Sequence, residues 1–161
     1  MSKFTLYNYV LSGNCYKIRL MAGLLGVTYD TVAVDFYPGL EQRSERMLAL
    51  NPAGTLPVLV AGDLVLSETQ AMLAWLATTH DPSGKWYPIK DASLHAQVLQ
   101  WLGFSARLTT SVGAARLNAM LDWPVDVEAV RSASRKDLDE LELRLTDRVF
   151  ANQTWLVGDR P

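Results

Sequence analysis

The hydrophobic pattern changes character near residue 80. Before it, period-two runs alternate with helical spacing; after it, only helical spacing remains. Phe4 to Tyr9 alternates and is rich in aromatics, which predicts a strand. Ser12, Gly13 and Asn14 are turn and cap residues. Cys15, Ile18, Met21, Ala22 and Leu25 then recur at helical spacing, and Gly26 closes the helix. Thr28 to Val34 is β-branched and alternating, so a second strand follows, giving a βαβ unit. Asp35 to Leu50 reads as a loop with a short helix over Ser44 to Leu50, and Asn51-Pro52-Ala53-Gly54 as a turn. Pro57 to Val60 and Leu64 to Leu66 flank Ala61-Gly62-Asp63, the pattern of a hairpin. Ser67 is placed as an N-cap, with Glu68 in the first turn of a helix reaching Thr79.

Residues 81–91 hold Pro82, Gly84 and Pro88 and read as a linker between a domain over 1–80 and a second over 92–161. Ser93 to Leu121 is predicted as one long helix, with Leu94, Val98, Trp101, Leu102, Ser105 and Leu108 on one face. Asp122-Trp123-Pro124 ends it. Asp126 caps another helix with a stripe of Val127, Val130, Ser134, Leu138, Leu141, Leu145 and Val149, and Glu140 and Arg144 are expected to pair on its outer side. The order β-α-β, loop, β-β-α is that of an α/β thioredoxin-like domain, followed here by an all-α segment.

Composition narrows the function classes. Of 161 residues, 49% are apolar and 20% charged, the values of a globular chain rather than a disordered one. The formal charge is −2, so neither nucleic acid nor an anionic membrane is an expected partner. One cysteine, Cys15, excludes an intrachain disulfide, and two histidines beside it make a metal site unexpected. No apolar run is long enough to span a bilayer, and no signal peptide is recognisable, so the expected location is cytoplasmic.

Three stretches carry a family resemblance. SGNCYKIRL (Ser12 to Leu20), NPAGTLPVLV (Asn51 to Val60) and LSETQAMLAWL (Leu66 to Leu76) resemble, in order and spacing, the active-site turn, cis-proline loop and third-helix motif of cytosolic glutathione S-transferases, of the serine-type and bacterial classes. The resemblance implies glutathione as co-substrate, a hydrophobic electrophile as second substrate, no metal, and a homodimer. It implies Ser12 as the hydroxyl that stabilises the thiolate, with Asn14 as an amide alternative. Cys15 is the third candidate, able to form a mixed disulfide, although it lies on the apolar stripe of its helix. Leu56 and Pro57 correspond to the residues before and at the cis-proline, where the backbone of residue 56 pairs with the peptide. Glu68 and Thr69 correspond to the pair that grips the γ-glutamyl end; Arg43 or Arg46 is a candidate partner of the glycine carboxylate, and either reads equally as a solvated surface charge. Thr55 stands where many relatives carry Lys or Gln. Trp101, Phe104, Ser105 and Leu108 are the expected wall of the electrophile pocket. Relatives continue past a segment like TWLVGDRP (Thr154 to Pro161) into a further core helix, so the resemblance implies that the last part of the helical domain is absent. The alternative functions are a glutathione-dependent disulfide or peroxide reductase, and a non-catalytic binding protein or truncated fragment on the same fold.

The thiol chemistry sets what such a site must supply. A thiol of pKa near 8.5 is only about 3% ionised at pH 7. A hydrogen bond to the thiolate contributes about 1.5–3 kcal/mol, or about one to two pKa units. Nucleophilicity falls with basicity at a Brønsted slope near 0.5, so ionisation alone gains only about a few-fold. Most of the acceleration must come from holding sulfur against the electrophile.

Overall fold

The computed structural model describes residues 3–159, so the last two positions of the Thr154 to Pro161 segment lie outside the described residues. The chain divides into two compact units, Met1–Ser83 and Gly84–Pro161. The second unit thus begins inside the stretch read as a linker.

The first unit is thioredoxin-like. Its elements are β1 (Thr5–Asn8), α1 (Gly13–Leu24), β2 (Asp30–Ala33), a 3-10 turn (Glu41–Arg43), α2 (Glu45–Leu50), β3 (Val58–Ala61), β4 (Leu64–Leu66) and α3 (Thr69–His80). The sheet order is β2-β1-β3-β4. β1 runs parallel to β2, with Thr5 opposite Asp30, and antiparallel to β3, with Tyr7 opposite Val58. β4 returns antiparallel to β3, with Leu66 opposite Leu59. Strand alternation places Phe4 and Leu6 in the core, and helical spacing does the same for Cys15, Ile18 and Ala22. Phe4 stacks on Tyr29 with ring centroids 4.8 Å apart and meets Trp75 edge-on at 6.0 Å. These contacts tie the start of β1 to α3. Gly26, at φ +66°, ends α1: its N–H bonds Gly23 O and the Val27 N–H bonds Ala22 O at 2.9 Å. One expectation shifts here. The N-cap of α3 is Glu68, not Ser67, and the helix starts at Thr69.

The second unit holds α4 (Ala92–Leu108), a π-turn (Thr109–Gly113), α5 (Ala114–Leu121) and α6 (Val127–Phe150). The single long helix expected over 93–121 is therefore interrupted. The cause is local: the Thr110 and Ser111 hydroxyls both bond back to the Arg107 carbonyl, at 2.9 and 3.1 Å, and loosen the regular ladder there. Ser111 is buried and its hydroxyl also meets Asp137 Oδ2 of α6 at 2.6 Å. The expected Glu140–Arg144 pair is replaced. Glu140 accepts from Arg107, while Arg144 donates through Nε and Nη2 to the Leu156 carbonyl at 3.2 and 2.7 Å. A two-pronged bond from a part-buried guanidinium outcompetes an exposed i,i+4 pair worth about 0.3–0.5 kcal/mol. Asp126 caps α6 as read, accepting from the Ala129 N–H at 3.0 Å. No helix among the described residues is long and apolar enough to cross a membrane.

Candidate functional site

Sheet register brings the first unit's motifs to one end. β1 runs toward Asn8 and leads into the turn before α1. β3 starts at Val58, opposite Tyr7, so the Leu56–Pro57 step lies beside that same turn. β4 ends at Leu66 near the start of β3, so α3 also begins there. Two helix N-termini, each favouring negative charge, therefore open at the same edge of the sheet.

Ser12 is the N-cap of α1. Its backbone is extended (φ −74°, ψ 123°), and its Oγ accepts from the Cys15 N–H at 3.2 Å. That bond uses a lone pair and leaves the hydroxyl proton to be donated elsewhere. Ser12 is half-buried. Asn14 occupies the second position of the helix, and its Oδ1 accepts from Lys17 Nζ at 3.0 Å. Cys15 is fully buried, packed in one cluster with Val34, Met47, Leu56 and Val58. Burial pushes its thiol up, against weaker opposing effects from Ser12, the Tyr9 N–H and Arg19. Enclosure and the upward push on its pKa both disfavour the reactive thiolate form of Cys15.

The loop before β3 is built by Asn51, which the sequence marked as the start of a turn and of the cis-proline motif but not as a clamp. Its Nδ2 donates to the Thr55 carbonyl at 3.0 Å and to the Thr55 Oγ1 at 2.9 Å, and its Oδ1 accepts from the Ala53 N–H at 3.1 Å. Asn-Pro with Gly three residues on is legible as a turn, but which side chain clamps it is not. The Leu56–Pro57 peptide is cis. Among the described residues, neither the N–H nor the C=O of Leu56 has a hydrogen-bond partner. Those two groups form an open rung of backbone at the edge of the site.

Arg43 and Arg46 separate cleanly. Arg46 pairs with Glu41 at 2.9 Å and lies 6.0 Å over the Tyr7 ring. Arg43 is exposed, and its guanidinium has no bond or ion pair among the described residues. Its stem lies against Gly54: a Cβ there would meet Arg43 Cγ at 3.5 Å. Glu68 is exposed at the start of α3 without a capping bond, and Thr69 beside it is buried.

In the second unit, Trp101 lines an apolar cavity of about 300 Å³, with Trp86, Leu94, Val98, Leu102 and Trp155 among its walls. The other three residues expected to wall a pocket do not line it. Phe104 is buried beneath Arg107, whose guanidinium lies 4.8 Å over its ring. The Ser105 hydroxyl bonds the Leu102 carbonyl at 2.8 Å, and Leu108 ends α4. Among the described residues no group of three His, Cys, Asp or Glu side chains could hold a metal ion.

Comparison with known proteins gives the family and the fold. The model for the glutathione S-transferase N-terminal domain matches residues 11–79. The crystal structure of a glutathione S-transferase from Pseudomonas fluorescens is 33% identical, with a TM-score of 0.80 over 99% of this chain and 77% of that one. The chain belongs to the glutathione S-transferase family. A glutathione transferase homologue from Lodderomyces elongisporus, solved with two glutathione molecules per subunit, is 27% identical, with a TM-score of 0.86 over 99% of this chain and 78% of that one. Glutathione S-transferase theta-2 of Mus musculus is 27% identical over 159 residues, covering 96% of this chain and 64% of that protein. The chain thus spans less than two thirds of that glutathione S-transferase.

Proposed function

We propose that the first unit binds glutathione, with its sulfur at the N-terminus of α1, and that the protein transfers the thiolate to hydrophobic electrophiles. One observation carries the reading: the Ser12 hydroxyl, the unpartnered Leu56 backbone and the N-terminus of α3 converge at one end of the sheet. In this reading the Leu56 N–H and C=O pair with the cysteinyl residue as an added strand. Glu68 takes the γ-glutamyl ammonium, while the Thr69 hydroxyl and the α3 N-terminus take its carboxylate. Arg43 takes the glycine carboxylate, because Arg46 already has Glu41 and the Thr55 hydroxyl already has Asn51. Ser12 donates to the thiolate and holds it ionised. The electrophile then reacts with a sulfur fixed in place, and the leaving group departs with the electron pair. If the protein reduces disulfides or peroxides instead, the reacting sulfur is that of bound glutathione, since Cys15 is enclosed. A cytoplasmic homodimer acting in detoxification completes the proposal.

Calorimetric titration with glutathione, followed by turnover of a chlorinated nitroaromatic, tests it. Saturable binding with conjugate formation that weakens in Ser12→Ala is the expected result. Binding without turnover would leave a non-catalytic glutathione-binding protein. Absence of binding would overturn the reading.

A further inference from the structure

Arg19 is a cation spent on neutral partners. It lies in the second turn of α1, half-buried, and its guanidinium reaches out of the helix to two other segments. Nη1 donates to Oδ1 of Asn8, the last residue of β1, and Nη2 donates to the Val10 carbonyl at 3.2 Å. The guanidinium also lies 5.7 Å over the Tyr16 ring. No carboxylate pairs with Arg19 among the described residues. Its charge therefore strengthens bonds to two oxygens that belong to the approach to α1.

Those two oxygens bracket the turn that carries Ser12. Tyr9 to Ser12 is a four-residue turn, closed by the Ser12 N–H on the Tyr9 carbonyl at 3.0 Å. Val10 is its first central residue and is 70% exposed, so packing does little to fix it. Arg19 holds that residue by its carbonyl and is itself anchored on the end of β1. On the other flank, the Tyr9 N–H donates to Cys15 Sγ at 3.5 Å, and the Ser12 Oγ caps α1. We propose that Arg19 is a positioning residue of the thiolate site: its guanidinium ties the end of β1 to the Val10 carbonyl and so fixes the turn that sets the Ser12 hydroxyl against the docked sulfur. The inference rests on the glutathione reading above and deepens it. The planar fork matters here more than the charge, because a lysine ammonium is a single point that cannot hold two acceptors at a fixed spacing. A hydrogen bond weakens steeply with misalignment, so a slack turn loosens Ser12 from sulfur without removing any group that touches glutathione.

The test measures the pKa of bound glutathione by its ultraviolet thiolate absorbance, together with its Kd, in Arg19→Lys, Arg19→Met, Ser12→Ala and the Arg19→Lys/Ser12→Ala pair. Arg19→Lys keeps the charge and loses the fork. It is expected to raise the bound thiol pKa by about one unit, while Kd changes less than about threefold. Arg19→Met gives the same rise. The double variant rises no further than Ser12→Ala alone, because the arginine acts through the hydroxyl. A wild-type thiol pKa in folded Arg19→Lys with normal glutathione binding would overturn this inference alone, since either the charge suffices or the residue is not needed. Additive effects in the double variant would do the same, by showing that Arg19 acts on sulfur without Ser12. Wild-type protein that binds no glutathione would overturn the glutathione reading and this inference together. Unfolding transitions of the variants separate a folding defect from a slack turn. If Arg19→Lys does not fold, Asn8→Ala carries the test: it cuts one prong, keeps the cation, and is expected to raise the thiol pKa in the same direction, and an unmoved pKa there would overturn the inference.

Discussion

Asn51 clamps Thr55: one buried amide group donates to both the carbonyl and the hydroxyl of a residue four positions on, at 3.0 and 2.9 Å. The step that presents Leu56 at the sheet edge is thus held by a side chain that no ligand needs to touch. Asn51→Ala leaves the Thr55 carbonyl and the Ala53 N–H without their partner. It is expected to cost about 2–3 kcal/mol in urea unfolding. Asn51→Asp is expected to be worse at neutral pH, because a carboxylate cannot donate and faces a carbonyl oxygen. Both variants should also weaken glutathione binding in calorimetry, since the Leu56 rung loses its fixed position.

Ser12 caps α1 and, in the proposed site, also donates to sulfur, and the two roles are separable. Ser12→Gly keeps helix capping within a few tenths of a kcal/mol, whereas Ser12→Ala costs about 1 kcal/mol of stability. Both remove the hydroxyl proton that the proposed site gives to sulfur. Each is expected to move the acid limb of the kcat/KM profile up by about one to two pH units. Activity at pH 7 falls only about three- to tenfold, because the less ionised thiolate is also the better nucleophile. A profile that stays in place would assign the thiolate to another donor.

Cys15 is expected to resist alkylation by iodoacetamide at pH 8 in the folded protein and to react fully in urea. Its folded thiol is raised by burial, so the unfolded chain releases this proton first. Below the ordinary cysteine pKa the two states bind the same proton and this group contributes no slope. Above it, stability falls as pH rises, until the folded pKa is passed. Cys15→Ala removes that slope, costs roughly 1–2 kcal/mol for the small cavity, and leaves conjugation within about twofold of wild type. Urea midpoints measured from pH 7 to 10 check the slope.

The two arginines give a paired prediction. Arg43→Ala is expected to raise the glutathione Kd by about tenfold, the loss of one charge-assisted bond to a carboxylate. The effect should shrink at high salt, since Arg43 is exposed. Arg46→Ala should change Kd by less than about twofold, because its charge is already committed to Glu41. Equal effects from both variants, or none from Arg43→Ala, would remove Arg43 from the site.

Much of this protein was legible before any coordinates. Alternation over Phe4 to Tyr9, the stripe from Cys15 to Leu25 with Gly26 behind it, and the hairpin around Gly62 are local patterns, and local backbone preference and burial periodicity decide them. They placed β1, α1, β3 and β4 within a few residues, and the quoted motifs named the family. The π-turn after Leu108 was less visible, since it depends on hydroxyls bonding backward into the helix. What only the tertiary structure decided is how each polar group is spent. Sequence offered Arg43 and Arg46 as equals; Glu41 takes one of them. Glu140 and Arg144 had ideal spacing, yet each found a partner elsewhere in its unit. Cys15 stood open as a nucleophile until the core closed around it. Periodicity follows from the chain's own geometry, whereas hydrogen bonds and charges go to whichever of several possible partners folding brings within reach, and spacing alone does not choose among them.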